Sequence, residues 1–310
     1  MKTKIWIALL AVYLVWGSTY LAIHFAVETI PPFLMAGVRF LVSGAALLMW
    51  RRAAGDAMPT ARQWRSTAIV GILLLLGGNG LVSFAELRIA SGIAALIIGT
   101  VPLWLVLIEA VRPGGVRPTP LAILGLLIGF GGIYLLVGPE DLSSASLQFD
   151  AFGIGTVLLA AFLWSLGSIY SRGADLPSSS LMGTGAEMLI GGLALIAFSG
   201  SVGEWRGFDF TAVSLSSWIG LAYLIAFGSM VGFVSYTWLL QNAPVSLVAT
   251  YAYVNPLVAV FLGAWLANET LNARILLAAL VIISSVVLIN QTKRKPKGAQ
   301  PEKAQVAAAE

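Results

Sequence analysis

Two stretches of this 310-residue chain, 5–138 and 150–290, each hold five apolar runs, and the second set echoes the first. A helix needs about 20 mostly apolar residues to cross a bilayer. The runs fall at 5–27, 32–50, 67–86, 92–111 and 120–138, then at 150–171, 179–200, 216–239, 246–267 and 274–290. An odd number of spans per unit reverses the orientation of the next unit, so a duplication becomes an inverted repeat. The predicted fold is an all-α polytopic membrane protein with ten transmembrane helices, arranged as two inverted five-helix repeats. The matched positions are Gly17-Ser18-Thr19-Tyr20 with Gly167-Ser168-Ile169-Tyr170, Gly37 with Gly185, Arg39 with Glu187, Gly44 with Gly192, Gly71 with Gly220, and Pro102 with Pro256. Paired interrupted helices in inverted repeats are how many secondary transporters build a site near mid-bilayer.

Composition removes several alternatives. Hydrophobic residues make up 58% of the chain and charged residues 10%, whereas a soluble domain carries about 25% charge. Lipid must therefore cover much of the surface. The absence of cysteine and the single histidine, His24, exclude disulfides, thiolate catalysis and Cys- or His-rich metal sites. No GxxxxGK[ST] loop is present, which argues against an ATP-driven pump. No catalytic residue, metal or cofactor is expected. The N-terminal apolar run extends to residue 27, too long for a signal-peptide core of 7–15 residues, and reads as the first span.

Basic residues set the orientation. Lys2, Lys4, Arg51, Arg52, Arg62, Arg65, Arg112, Arg117, Arg172, Lys293, Arg294, Lys295, Lys297 and Lys303 fall on one side; Arg88, Arg206 and Arg274 fall on the other. The positive-inside rule makes the richer side cytoplasmic. Both termini then lie in the cytoplasm of a multi-pass cell-membrane protein (the inner membrane in a bacterium). The net charge of +4 resides in these loops and the tail and is not a nucleic-acid signal. Residues 291–310 read as a disordered basic cytoplasmic tail.

The run WGSTY at 16–20, PPFLMAGVRF at 31–40, GNG at 78–80, SGIAALI at 91–97, GTVP at 99–102 and ATYAYVNP at 249–256 resemble the EamA branch of the drug/metabolite transporter superfamily. The resemblance runs from about residue 5 to 290. It implies ten helices in two inverted five-helix repeats and, usually, export of small metabolites or drugs, amino acids and related compounds among them.

The polar residues inside the spans are the candidate substrate-binding set. Arg39 lies about seven residues, or roughly 10 Å, into its span, and an arginine there must face the bundle interior with an acceptor nearby. A substrate carboxylate suits its guanidinium fork; a structural ion pair is the alternative. Glu187, nearer the cytoplasm, is a candidate for proton coupling, for substrate contact, or for pairing with Arg39 across a central cavity. Pro102 and Pro256 are expected to break their helices, since each removes a backbone donor. Tyr251 and Asn255 share a face beside Pro256. Asn79 sits among glycines in mid-span, and Trp16 and Tyr20 lie one turn apart on one face. Glu86, Glu109 and Glu269 fall near span ends, where water is expected to reach them. Gly125 and Gly129 give a small-xxx-small face that suits close packing within the chain or in a homodimer.

The expected function is secondary transport: export of small metabolites, amino-acid-like or amphipathic, by alternating access. The expected partners are a small-molecule substrate and the lipid bilayer, with no nucleic acid. The alternative is a lipid-handling or lipid-modifying membrane protein, for which the chain lacks an obvious nucleophile, metal cluster or acid–base pair. The topology has a direct check: with no native cysteine to interfere, Lys4→Cys and Arg294→Cys should react with an impermeant thiol reagent from the same face.

Overall fold

The computed structural model describes residues 2–115, 117–137, 150–243, 245–248 and 250–292, and these are helical with no strand among them. The expected tail falls, from residue 293 onward, outside the described residues. The first half contains α1 (Lys2–Val27), α2 (Pro32–Ala53), α3 (Ala61–Gly71), a π segment (Ile72–Gly80), α4 (Leu81–Ala85), α5 (Ser91–Ile98), α6 (Val101–Val111) and α7 (Pro120–Val137). The second contains α8 (Ala151–Ser171), α9 (Ser180–Ser201), α10 (Leu215–Tyr223), a π segment (Leu224–Val231), α11 (Gly232–Asn242), α12 (Val245–Val248), α13 (Tyr251–Leu266) and α14 (Ala273–Thr292). Seven helical stretches are long and apolar enough to cross a membrane, and three shorter apolar helices lie at 120–136, 254–266 and 273–289. Leu127, Phe261, Trp265 and Leu280 are each more than three-fifths exposed; lipid rather than water is the solvent for such a surface.

Local signals explain where the helices begin. Pro32 occupies the first turn of α2, where its missing N–H leaves no hydrogen bond unmade. Thr60 and Gln63 form a reciprocal capping box, which starts α3 six residues before the expected span start at 67. Asp150, Ser179 and Ser214 cap α8, α9 and α10 with their side-chain oxygens.

Two pairs of helices, α2 with α9 and α7 with α14, pack antiparallel. A Cβ on Gly44 would lie 2.4 Å from the Leu189 amide nitrogen, and one on Gly192 would lie 2.5 Å from that of Leu41. Gly37 faces residues 192–196 while Gly44 faces 185–189, so α2 and α9 run in opposite directions with their backbones in contact. The same holds for α7 and α14: Gly125 meets Ile289, and Gly132 meets Ile282. Gly125 and Gly129 thus spend their small-residue face inside the chain, against α14 and Leu103. The first helix of each half lies along the third span of the other. Gly220 meets Ala22 and Ala26 of α1 and Gly232 meets Trp16, while Gly77 meets Leu163 of α8 and Gly167 meets Leu74.

The fourth span of each half is broken, but at a threonine rather than at the expected proline. The Thr100 hydroxyl donates to the Ile97 carbonyl (2.6 Å) between α5 and α6, and the Thr250 hydroxyl donates to the Leu247 carbonyl (2.5 Å) before α13. Pro102 stands in the first turn of α6, where its lost donor matters little. Pro256 stands inside α13 and packs beside Gly99, at the break of the other half. The prolines therefore occupy different places relative to the two breaks.

The α2–α9 crossing is testable. Gly44→Ala should destabilise the folded protein by about 1–3 kcal/mol through overpacking. Gly131→Ala, which points into open space, should be neutral or slightly stabilising in the same thermal-unfolding assay in detergent.

Candidate functional site

The π segment Leu224–Val231 positions the buried arginine. Its i→i+5 bonding widens the helix by one residue and brings Gly228 and Ser229 to face α1 and α2. Arg39, only 3% exposed on α2, donates from Nε to the Ser229 hydroxyl at 3.0 Å. Its guanidinium also lies 4.6 Å from the centre of the Phe40 ring. A Cβ on Gly228 would come within 3.0 Å of an Arg39 terminal nitrogen, so glycine leaves the room that the guanidinium occupies. The Gly228 carbonyl accepts from Trp16 Nε1 at 3.1 Å. One irregular strip of backbone thus holds both Trp16 and Arg39.

An aromatic group continues from Trp16. Its ring lies 5.1 Å from Phe233, 5.0 Å from Tyr236 and 5.3 Å from Tyr251, centre to centre. Tyr236 and Tyr251 are 5.6 Å apart and nearly perpendicular. These offset and edge-on arrangements are the favourable ones for aromatic rings. Tyr13 joins Thr250 through a short hydroxyl–hydroxyl hydrogen bond. Asn255 is buried beside them; with its amide oriented to satisfy its neighbours, the nitrogen donates to the carbonyls of Tyr13 (3.3 Å) and Tyr251 (3.2 Å). Tyr20, one turn from Trp16 on α1, packs against the buried cluster that contains Ala85, Ile93 and Leu96.

Of the predicted residues, Trp16, Tyr20, Arg39, Tyr251 and Asn255 therefore converge around α1, joined by α2, α13 and the second π segment. Asn79 does not join them by any hydrogen bond: its amide turns back to the Leu74 carbonyl within its own π segment (3.4 Å). Glu187 is partly buried on α9, with its backbone against Gly71, and has no hydrogen bond or ion pair among the described residues. No ion pair joins Arg39 to Glu187 among the described residues.

One expectation about span ends is corrected. Glu86 is not reached by water: it is 3% exposed, and neither of its oxygens has a hydrogen-bond partner. Glu269 accepts from Ser91 N (2.8 Å), Ser91 Oγ (2.6 Å) and Gly92 N (3.1 Å), capping α5 from the other half. Glu204 does the same for α2 through Phe33 N (3.2 Å) and Leu34 N (3.0 Å). Helix N-termini attract carboxylates because their first amides are unpaired and the helix dipole is positive there. The sequence placed these residues at loop ends but held no signal for which helix each would reach. Ser229, Phe233 and Tyr236 gave no signal either, being ordinary residues of an apolar run.

An all-helical, multi-pass membrane protein with a buried arginine and polar aromatics at the junction of its two halves has the construction of a membrane transporter. A model of the EamA-like transporter family matches residues 3–138 and again 151–291, and the chain belongs to that family. It is 39% identical over 288 residues to the uncharacterized inner membrane transporter YedA of Escherichia coli (strain K12), covering 92% of this chain and 90% of that protein. It is 24% identical over 309 residues to the transporter sll0355 of Synechocystis, covering 93% and 90%. A solved crystal structure shares the fold with a TM-score of 0.64 at 21% identity, covering 94% of this chain and 99% of the other.

The bond between α2 and the second π segment can be measured by a double-mutant cycle. Arg39→Met and Ser229→Ala, singly and together, should give a coupling of about 0.6–1.7 kcal/mol in unfolding free energy, the range found for interhelical hydrogen bonds in a membrane protein.

Proposed function

We propose that this protein is a secondary transporter that exports small amino-acid-like or amphipathic metabolites by alternating access between two inverted five-helix halves, 5–138 and 150–290. The observation that carries the reading is Arg39: a guanidinium enclosed in the bundle, with one nitrogen held by Ser229 and no carboxylate in contact among the described residues. A buried arginine left without an anion is costly, and a solute with a carboxylate relieves that cost by bidentate bonding. Trp16, Tyr20 and Tyr251 offer flat apolar contact beside it, and Asn255 supports Tyr251. Asn79 and Glu187 line the passage toward the other half. Antiparallel packing of α2 on α9 and of α7 on α14 supports the inverted arrangement, because equivalent helices meet antiparallel when two units are related by an axis in the membrane plane. Both termini are cytoplasmic in this reading, from the distribution of lysine and arginine.

Purified protein in sealed liposomes, offered a panel of carboxylate-bearing metabolites with and without a pH gradient, tests the proposal. Wild-type vesicles should accumulate or release at least one solute faster than empty vesicles. Arg39→Ala should abolish that flux while remaining folded, and Arg39→Lys should restore only part of it. If Glu187→Gln keeps full pH-driven flux, Glu187 has no coupling role. Movement of labelled phospholipid in place of a soluble solute would favour the lipid-handling alternative.

A further inference from the structure

We propose that Glu86 is the proton-binding carboxyl of this transporter, neutral while the halves are packed and exchanging its proton with water when the ties on the outer side open; the proposal rests on the transport reading above. Glu86 follows α4 at the outer end of the third span. It is 3% exposed, and both carboxyl oxygens are covered and without a hydrogen-bond donor among the described residues. The groups that face it come from three directions. Arg39 approaches from α2, Glu269 from the segment after α13, and the Tyr20 side chain and His24 backbone from α1. The adjacent helix α8 presents no titratable side chain to it.

None of these neighbours serves as a counter-ion in contact. Arg39 makes no ion pair within 4 Å among the described residues and gives its Nε to Ser229. Glu269 carries charge of the same sign. A carboxylate buried in this way, with no cation in contact and no side-chain donor, is costly; a proton removes the charge and the cost together. The packed arrangement is therefore one in which Glu86 is a neutral acid.

The same geometry supplies a second state. Glu269 ties α5 to the segment after α13, and Glu204 ties α2 to the other half in the same manner. Both ties join the halves on the outer side. When they open, water reaches the carboxyl and the anion becomes affordable. The two conformations then differ in proton affinity at one atom pair, which is what a proton needs in order to bias a two-state equilibrium. Loading converts a carboxylate and a hydronium ion into a carboxylic acid and water, and unloading reverses this; no other bond changes.

The test uses the full chain in lipid. Infrared difference spectra between acid and alkaline pH should contain the carbonyl stretch of a buried carboxylic acid in the wild type. Glu86→Gln should lose the band, and Glu187→Gln should keep it. Should Glu86→Gln fail to fold, Glu269→Gln provides the second reading: removing a like charge should move the midpoint of the band to lower pH. In vesicles loaded with pyranine, an imposed gradient of the transported panel solute should drive proton movement in the wild type. In Glu86→Gln the solute should still equilibrate while that proton signal is lost. Persistence of the band, or of coupled proton movement, in folded Glu86→Gln would overturn the proposal and leave the transport reading standing. Wild-type vesicles that pass no solute would overturn the transport reading and, with it, the role of Glu86 in transport.

Discussion

The contact on which the rest of this molecule depends is backbone against backbone where α2 crosses α9. Four glycines, Gly37 and Gly44 on one helix and Gly185 and Gly192 on the other, let the two chains approach to a separation that no side chain would permit. In lipid there is no hydrophobic force to press helices together, so association relies on such close van der Waals fit. The crossing lies between the halves and joins equivalent elements. It fixes which face of α2 looks inward, and so it fixes Arg39, which sits between Gly37 and Gly44 on that helix.

From this crossing the interior follows in order. Arg39 faces the second π segment and finds Ser229; the same segment receives Trp16 through the Gly228 carbonyl. Trp16 touches Tyr251, and Tyr251 leads to Asn255 and the break at Thr250. The first three of these contacts join residues from opposite halves. Several interior polar groups are consequently shared between the two halves of the chain rather than owned by either.

Much of this was legible in the sequence, and what was missed has physical reasons. The apolar spans could be read because apolar length and charge sparsity are properties of single segments. Arg39 could be read because an arginine well inside a span has few stable places to go. Glu86 could not, because whether a span-end carboxylate meets water depends on what packs over it from elsewhere in the chain. The prolines misled for a related reason. Pro102 and Pro256 are strong local signals, yet the interruptions fall at Thr100 and Thr250, each of whose hydroxyls donates to the carbonyl three residues back. The Thr60–Gln63 box was written plainly in the sequence and marks the true start of α3.

The third span of each half carries a π segment, and both lie at the contact with the first helix of the opposite half. A π bulge is a surplus residue stored within a continuous helix. Moving that surplus by one position exchanges one backbone hydrogen bond for another and swings the residue it passes by about 100° around the axis. Each half thus holds a swivel in the wall against which its counterpart leans, and side chains such as Ser229 and Asn79 can be re-aimed without unwinding the span that bears them.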